Sequence, residues 1–549
     1  MFSAALASMG TLFGQGFVTG AAGFMDNGIA YGESSYFGTA RSMALGNALT
    51  SVGGDQGSIP INPAGAAVAP YSQASVTAGA SISSVSAAYA PAYGDAYGNG
   101  VRSNAAGFVL PSVGATMRLN MGSTGLKGMT FSILYGTERQ YLSRIGASGS
   151  QSAPYMTSMC GAFAYAATAD GLDPNLPYET RYNGAYDWGE VAAYGGNLIG
   201  YSERLARFIP STQNEDGETV SGTKLDQAYS RNSSGKKDDI IFNMAFQVGD
   251  NVYLGMTLGV PMVRYRDERS ISEVSVGSPI PVTFEGEETT SFKRADYSSV
   301  LSTRMTGVYG KFGIIWRAGD VFRFGAAIKT PTRFNVSEAY TLRAASSYNN
   351  GKYFSDSPSY PDEFNYVFTS PFEFNVGASM VLGKAGLVSV DYELMDYHAM
   401  RYSAGSAGYF DATNNTIRNF CGVSHMLRVG AELRLNTYVS ARVGYNLLTN
   451  PEKYYDLGGG EKIYASDWDG TPLSGGSARY VPGLVKHTVS AGLGYSSPGS
   501  FFADLAVRAT FDPTRNFGLY IDYDRAVSSP DVRFRRTLWD VVATIGWRF

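Results

Sequence analysis

The sequence predicts an all-β fold: a transmembrane antiparallel β-barrel of about 14 strands with an N-terminal plug inside the lumen. Three observations support this prediction, namely the composition, the alternation of apolar and polar residues, and the alternating lengths of the connections. Charged residues make up 16% of the 549-residue chain, against roughly 25% in soluble domains. Aromatic residues make up 13%, which suits strands that present an aromatic surface to lipid.

The composition also excludes several classes of function. The formal net charge of −4 lacks the basic excess of nucleic-acid-binding proteins, so no nucleic-acid partner is expected. No uninterrupted apolar run is long enough for a transmembrane helix. Cys160 and Cys421 are too few and too far apart for a metal cage, and we expect neither a metal nor another cofactor. Whether these two cysteines pair in a disulfide is left open, since sequence cannot show their approach.

Residues 1–21 are interpreted as a signal peptide. Phe2 to Phe13 forms an apolar core, and small residues between Gly14 and Ala22 offer cleavage sites. No Lys or Arg precedes Arg41, so the basic leader of a signal peptide is missing. Either the given start has lost this leader, which we favour, or the stretch is retained.

Alternation of apolar and polar residues is the evidence for strands. In "HTVSAGLGY", Val489, Ala491 and Leu493 fall on one face, and Thr488 and Ser490 fall on the other. The same pattern runs through "MLRVGAELRL", "YVSARVGYN", "VFRFGAAIK" and "PFEFNVGASM". A soluble β-sandwich would also alternate, so the spacing of the segments has to decide between sandwich and barrel.

The connections between strands alternate strictly in length. The strand-like runs lie near 74–82, 107–119, 129–142, 239–248, 251–266, 304–317, 320–334, 366–383, 386–402, 425–435, 437–448, 485–496, 500–511 and 536–549. Turns such as "GDN", "AGD" and "SSPG" alternate with long loops, of which the largest is 143–238. Outer-membrane barrels have short periplasmic turns and long extracellular loops. The barrel is therefore expected over 72–549.

The last run gives the strongest single indication of a membrane barrel. In "TLWDVVATIGWRF", Trp539 and Trp547 lie on the outward set, about 26 Å apart at the rise of a strand, which matches an apolar band with an aromatic girdle at each edge. A chain that ends in an aromatic strand resembles bacterial outer-membrane barrels. That resemblance implies that Trp547 and Phe549 belong to the signal recognised by the barrel-assembly machinery.

A plug is predicted over 22–71, since fourteen strands leave a lumen that wall side chains alone do not fill. "SMALGNALTSVGGDQGSIPINPAG" is rich in small residues, and Gly53, Gly54, Gly57, Pro60 and Pro63 favour compact turns. The alternative is a disordered periplasmic leader.

The same stretch carries a resemblance to a known family. "GTARSMALGNALTSVGGDQGSIPINPAG", "LPSVGATMRL", "LGVP" and the terminal Phe549 resemble the FadL family of outer-membrane transporters for long-chain fatty acids and other hydrophobic compounds. The residues that match the plug motif of the family are Arg41, Gly46, Gly54, Asp55, Asn62, Pro63, Ala64 and Gly65.

The resemblance implies a monomeric plugged barrel in the outer membrane of a Gram-negative bacterium, in contact with outer-membrane lipid. A hydrophobic molecule would bind first between extracellular loops, pass to a pocket near the mature N-terminus, and leave sideways at a kink in the third strand. Gly136 in "FSILYGTERQY" is the candidate for this kink, because a strand glycine often marks a bulge. An ordinary flexible strand position is the alternative.

Two further groups of residues are candidate ligand contacts. Phe17, Phe24 and Met25 follow the cleavage region, and ordinary packing inside the plug is the alternative for them. In the long loop, "NLIGYSERLARFIP" is interpreted as a short amphipathic helix that receives an acyl chain and its carboxylate. The contact candidates on this helix are Leu198, Arg204, Arg207 and Phe208. A helix that only packs on its neighbours is the alternative.

Inward-facing charges are expected to hold the plug, with Arg41 and Asp55 as its partners. The predicted inward set is Arg323, Lys329, Arg428, Arg434, Arg442, Lys486, Arg508, Glu373, Asp391, Glu393, Glu432, Asp504 and Asp540.

Three rival functions remain to be weighed. An enzyme needs a nucleophile with a base beside it, and Ser424 next to His425 is only adjacency in sequence, so no catalytic residues are assigned. A general porin needs an open lumen, which a plug would block. A subunit or carrier of a larger outer-membrane assembly is compatible with the enlarged loops.

Overall fold

The computed structural model describes residues 21–33, 35–36, 38–93, 96–122, 125–284, 288–359, 361–405, 408–456, 462–463, 483–520 and 528–549. The chain forms a closed antiparallel barrel of 14 strands, as the sequence predicts. The first strand pairs with the last from Gln73 opposite Arg548 to Ala90 opposite Asp531. The predicted signal peptide, except Ala21, lies outside the described residues.

The barrel strands are numbered in chain order, and five of them consist of two segments. They are β1 Gln73–Ala90, β2 Val101–Asn120, β3 Leu126–Gln140 with Ser143–Ser152, β4 Thr223–Val248, β5 Val252–Gly277, β6 Thr290–Ala318, β7 Phe322–Lys329 with Arg333–Tyr348, β8 Asp362–Thr369 with Phe372–Val381, β9 Gly386–Asp396 with Arg401–Ser403, β10 Val423–Arg434, β11 Val439–Thr449, β12 Val485–Ser496, β13 Phe501–Phe511 with Arg515–Gly518, and β14 Asp531–Arg548. The second segments continue the same barrel strand after a short interruption.

The described residues also form five α-helices, none of which is part of the barrel wall. They are α1 Ala21–Gly32, α2 Ala40–Ala44, α3 Met159–Ala169, α4 Trp188–Gly195 and α5 Asp411–Phe420. Short 3-10 turns span Gln56–Ser58, Pro63–Val68 and Tyr397–Ala399. Short strands outside the barrel are Ile199–Ser202, Arg207–Pro210, Pro281–Val282, Tyr353–Asp356, Tyr455–Asp456 and Lys462–Ile463. No helix in the described part of the chain is long and apolar enough to cross a membrane.

The alternation in the sequence places apolar side chains outside and polar ones inside. On β14, Trp539, Ile545 and Trp547 are exposed, whereas Asp540 and Thr544 are buried. A barrel in water would not expose such a belt. The outward face of the barrel is therefore an apolar belt, as the sequence predicts.

Strand lengths differ strongly around the barrel. β4, β5 and β6 have 26, 26 and 29 residues, whereas β10, β11 and β12 have 12, 11 and 12. The run expected at 320–334 is interrupted and then continues to Tyr348. In this extension the alternation is reversed, since apolar residues such as Phe334, Val336 and Leu342 face inward. The two ends of 143–238, expected as loop, are strand, since 143–152 belongs to β3 and 223–238 to β4, and 153–222 lies outside the barrel strands.

Residues 153–222 fold into a compact unit, which we call the cap. It contains α3, α4 and a hairpin of Ile199–Ser202 with Arg207–Pro210. Its apolar side chains, among them Phe163, Val191 and Leu198, share one buried cluster with Tyr297 and Leu342 of the extended barrel strands. The cap therefore packs on the strand extensions at the loop end of the barrel.

Candidate functional site

The plug, residues 22–71, is organised by short capped turns. Asn62 caps the turn Pro63–Val68, since its side chain accepts a hydrogen bond from the Ala64 amide at 3.1 Å. Its amide group donates to the carbonyls of Thr50 at 2.7 Å and of Ile314 on β6 at 3.0 Å. One asparagine thus closes a turn and fastens the plug to the wall.

Glycines of the motif make close approach possible within the plug and to the wall. Gly46 and Gly54 have φ of +62° and +77°, a backbone conformation that residues other than glycine rarely adopt. The Gly54 amide donates a hydrogen bond to the Gly65 carbonyl at 2.9 Å. A Cβ at Gly65 would overlap with Ser58.

Sequence reasoning missed a matching set of glycines on the barrel wall. A Cβ at any of them would overlap with plug atoms, so their absence of a side chain provides the space in which the plug backbone lies. These glycines are Gly255, Gly313, Gly325, Gly430 and Gly444. Each of these glycines lies in a strand of alternating pattern, and only its inward-facing position distinguishes it from other strand glycines.

Wall side chains also form hydrogen bonds with backbone groups of the plug, which has little secondary structure of its own. The donors and their acceptors are Arg118 to Ala67 O and Ala69 O, Lys311 to Pro60 O, Arg323 to Val52 O, and Arg508 to Tyr36 O. In the other direction, the Thr50 amide donates to Asp391 at 2.8 Å.

Arg41 is the residue of the plug motif that forms an ion pair with the wall. Its Nε lies 2.8 Å from Glu432 Oε2, and Glu432 also accepts from Arg442 at 2.7 Å. Burial opposes the charge of Arg41, but Glu432 outweighs burial and raises the pKa of the guanidinium. The Arg41 guanidinium is therefore a permanently charged group of the plug that contacts the wall.

Asp55 does not reach the wall through an ion pair among the described residues. Its carboxylate accepts from the Thr39 hydroxyl at 2.6 Å and from the Gly57 amide at 2.8 Å. Asp55 therefore shapes the plug, and the predicted wall contact is replaced by a turn inside it.

Most of the predicted inward charges pair with a charge on a nearby strand of the wall. The pairs are Lys329 with Glu373, Arg428 with Glu393, Arg442 with Asp504, and Arg508 with Asp540. Arg434 is an exception, since it is exposed at the last position of β10. It keeps the inward register, but the strand ends there and the side chain reaches solvent.

Phe24 and Met25 of α1 lie in a closed aromatic cluster at the loop end. The Phe24 ring contacts Tyr366, Tyr402 and Phe410, with centroids 5.0 to 5.8 Å apart. Met25 is fully buried. The structure thus gives both residues a packing environment, and Phe17 lies outside the described residues.

A cavity of about 260 Å³ lies beside the other part of α1. Its apolar wall includes Ile29, Tyr31 and Tyr141, and its polar wall includes Glu33 and Arg139. The pocket near the plug N-terminus is therefore formed by barrel residues together with plug residues that follow Met25, from Asp26 to Glu33. Sequence alone offered no signal for them, because α1 has no marked apolar stripe.

Glu33 connects the end of α1 to two strands. It lies 3.2 Å from Arg139 on β3 and 2.5 Å from Lys486 on β12. Burial would raise the pKa of Glu33, but Arg139 and Lys486 outweigh it and lower the pKa to about 2. The charged carboxylate is therefore the stable form at neutral pH.

The pairing of β2 with β3 ends part-way along the wall. It runs from Asn120 opposite Gly128 to Val113 opposite Tyr135 and stops there, although β2 extends to Val101. We call residues 101–112 of β2 and 136–152 of β3 the β2–β3 seam. The distal segment of β3 pairs only with β4 among the described strands.

Gly136 lies at the first position of the seam. A Cβ there would overlap with the Pro111 carbonyl, and the pairing of β3 with β4 shifts register just beyond, between Thr137 and Arg139. On the lumen side, a cavity of about 50 Å³ is lined by Gly136, Thr137, Lys311 and the plug residue Tyr36. The candidate kink residue thus lies where the wall separates.

The segment 197–210 forms a hairpin, so the predicted amphipathic helix is wrong. Leu198 and Phe208 are buried in the cap, whereas Arg204 pairs with the exposed Asp216 and Arg207 is exposed. The apolar residues therefore face inward and the two guanidiniums face solvent. Local periodicity could not distinguish the two structures, since the run is short.

The candidate nucleophile and base do not face each other. Ser424 is buried and donates to the Thr449 carbonyl at 2.5 Å, whereas His425 is exposed and its Nδ1 lies 2.6 Å from the Tyr392 hydroxyl. Neighbours in a strand point to opposite sides. Cys160 and Cys421 are both free and buried.

The architecture matches that of known transport proteins. No family model and no curated protein matches the sequence. The structure of a Pseudomonas aeruginosa FadL homologue superimposes with a TM-score of 0.50 at 11% identity, over 94% of this chain and all of the other. The fold is that of a FadL-type barrel.

Two further solved structures match this chain over a similar length. The toluene transporter TodX from Pseudomonas putida matches with a TM-score of 0.45 at 11% identity, over 94% of this chain and 100% of that one. The toluene transporter TbuX from Ralstonia pickettii matches with 0.43 at 12%, over 94% and 99%. The neighbours are transporters and not enzymes.

Proposed function

We propose that the protein moves hydrophobic molecules, such as long-chain fatty acids, across the bacterial outer membrane and releases them sideways through the β2–β3 seam. The observation that carries the proposal is the end of strand pairing at Val113 and Tyr135, next to a lumen cavity. In a closed barrel wall, lost pairing between neighbours creates a side route, since backbone hydrogen bonds hold the strands together.

A side exit is favourable for an apolar cargo. Release into water would re-expose apolar surface at a cost of about 25 cal/mol per Å². Release at membrane depth transfers the molecule from the lumen to lipid directly. The seam lies between strands whose outward residues include Phe108 and Ile133, both exposed and apolar.

The plug argues for this route and against an open porin. It occupies the lumen with residues that are almost fully buried, such as Met43, Leu45 and Ile61. Cargo would therefore pass from the cavity beside α1 to the cavity at Gly136 and out through the seam. We propose that the protein works as a monomer, and the location of the whole route in one chain supports this.

Native mass spectrometry of the protein in mild detergent tests the ligand class. We expect a bound apolar compound that added oleate displaces. An empty barrel that carries a partner protein would instead favour a role as a subunit of an assembly.

A tryptophan at Thr137 tests the route. Thr137 lines the small cavity at the seam, so Thr137→Trp should reduce oleate uptake by proteoliposomes at least about tenfold while oleate binding is retained. The matched control is Ile133→Trp, on the same strand but facing outward. Equal uptake by both variants would contradict lateral release.

A further inference from the structure

Three arginines on the outer surface of the barrel lack partners. Arg264 on β5, Arg304 on β6 and Arg333 on β7 are exposed, and we call them the arginine row. No hydrogen bond or ion pair of their guanidinium groups occurs within the described residues. Nearby outward arginines differ, since Arg266 pairs with Glu268 at 2.7 Å and Arg294 with Asp296 at 2.7 Å.

The register brings two of these cations side by side. Arg264 lies directly opposite Arg304, and side chains in such a position are about 5 Å apart at Cβ. Like charges directly opposite each other destabilise a sheet. The arrangement therefore calls for an anion that is shared between the two guanidiniums.

The row lies immediately beyond the apolar belt. On β6, the outward residues Val308, Phe312, Ile314 and Trp316 are exposed and apolar, and Arg304 follows beyond Val308. Twelve residues separate Arg304 from Trp316, which corresponds to about 31 Å of height for a strand tilted by about 40°. The apolar band of such barrels is about 25 Å tall, so Arg304 lies at headgroup depth.

The row is at the end of the barrel that carries the cap and the long loops. On β5, the outward residues Leu254, Met256 and Leu258 are also exposed and apolar, and Arg264 follows beyond them in the same direction. Loops of this length are extracellular in outer-membrane barrels. The arginines therefore face the outer leaflet.

A groove on the outer wall places neutral hydrogen-bond donors beside the arginine row. It has a volume of about 610 Å³ and is lined by Arg304, Arg333, Asn335, Ser337 and Asn365, among others. Guanidinium, amide and hydroxyl groups together provide forked and single donors, which suit the oxygen atoms of a phosphate. On β8, Glu363 is exposed on the same face as Asn365, two positions before it in the chain.

We propose that the arginine row binds the phosphate group of a phosphorylated outer-leaflet glycolipid, with its acyl chains against the apolar belt of β5 and β6. The two directly opposed guanidiniums bind one phosphate, and the amides of the groove bind the sugar to which it is attached. This site lies on the lipid side of the wall and is independent of the cargo route.

Native mass spectrometry of the delipidated full-length protein tests the site. The probes are bis-phosphorylated lipid A, the same lipid after enzymatic dephosphorylation, phosphatidylglycerol, and inorganic phosphate. We expect lipid A to bind at least about tenfold more tightly than its dephosphorylated form, since charge-assisted hydrogen bonds to phosphate are lost. Inorganic phosphate should not compete at equal concentration.

The double variant Arg264→Gln with Arg304→Gln should abolish this preference. Arg294→Gln is the matched control, since Arg294 is on the same strand and already paired, and it should keep the preference. Wild-type protein that binds both forms of lipid A equally would overturn the proposal without any variant, as would a double variant that keeps the preference. Equal binding of phosphatidylglycerol or competition by inorganic phosphate would overturn the choice of glycolipid.

Discussion

The plug and the cap both cover the lumen, but they are held by different forces. The plug is fixed by directional contacts, such as Arg41 with Glu432 and Asn62 with the Ile314 carbonyl. The cap is fixed chiefly by a large apolar cluster that includes Phe163, Leu198 and Tyr297. Directional contacts need particular residues at particular positions, whereas an apolar core accepts many sequences of similar volume. The plug therefore carries a recognisable motif and the cap carries none.

Removing each element in turn should give the largest difference. Deletion of 22–71 should convert a closed barrel into a conducting pore, measured as single-channel conductance in planar bilayers. Replacement of 155–220 by a short glycine-rich turn should leave the barrel closed, because the plug remains. The turn is feasible, since the Ala153 amide already bonds to the Thr223 carbonyl at 3.0 Å. Unchanged conductance after the plug deletion would disprove the plug assignment.

A cavity in the cap should loosen it without opening the pore. Phe163→Ala removes a ring that is 1% exposed, and such changes cost about 3–5 kcal/mol. We expect cleavage within 153–222 by added protease to accelerate by about a hundredfold or more, since cleavage follows the open population. Tyr165→Ala, at an exposed position of α3, is the control and should leave the cleavage rate unchanged. Conductance should stay closed in both variants.

A single methyl group on the wall should loosen the plug. Gly313→Ala places a Cβ against Asn62, and overpacking of this kind costs about 1–3 kcal/mol. We expect transient current openings in planar bilayers. Gly310→Ala lies on the same strand, where the added Cβ would have its nearest neighbouring atom 3.8 Å away. This variant should show no such openings. Openings of equal frequency in both variants would show that the wall glycines do not accommodate the plug.

The two elements should respond to pH in opposite directions. Burial, reinforced by Asp187 and Asp170, raises the pKa of Glu190 in the cap to about 10, whereas the pKa of Glu33 is lowered to about 2. Glu33 thus stabilises the plug above pH 4.5, its ordinary pKa, and that contribution is lost as the pH falls toward 2. Glu190 destabilises the cap as the pH rises from 4.5 toward 10.

Hydrogen exchange with correction for intrinsic rates measures this effect. At about pH 3, α1 should lose protection while α4 keeps it, and at about pH 9 the reverse should hold. Glu33→Gln and Glu190→Gln remove the respective dependence. A parallel loss of protection in both helices at either extreme would contradict the assignment of these two carboxyls.

The sequence was informative where structure depends on local pattern. Period-2 alternation located most strands within the lipid belt, and the girdle residues Trp539 and Trp547 are both outward and exposed. Turn chemistry around Asn62 and Pro63 indicated a compact plug. The limit was reached beyond the belt, where the alternation reverses and apolar residues such as Phe334, Val336 and Leu342 face inward.

Contacts between distant segments were beyond the reach of the sequence. Gly313 is an ordinary strand glycine until Asn62, 251 positions earlier in the chain, lies against it. The hairpin at Leu198 and Phe208 is stabilised by a core drawn from several barrel strands. Glu33 gains its partners from β3 and β12. Such properties depend on register and topology, which one sequence does not specify.

The contact between plug and last strand constrains the order of assembly. The Ala40 amide donates to the Thr544 hydroxyl at 2.7 Å, and Thr544 also contacts Thr77 of the first strand. The plug is synthesised before any strand, yet its binding surface is completed only when the two ends of the wall meet, 467 positions apart. The last contacts of the plug with the wall therefore form only at barrel closure, and an unclosed intermediate never holds a finished plug.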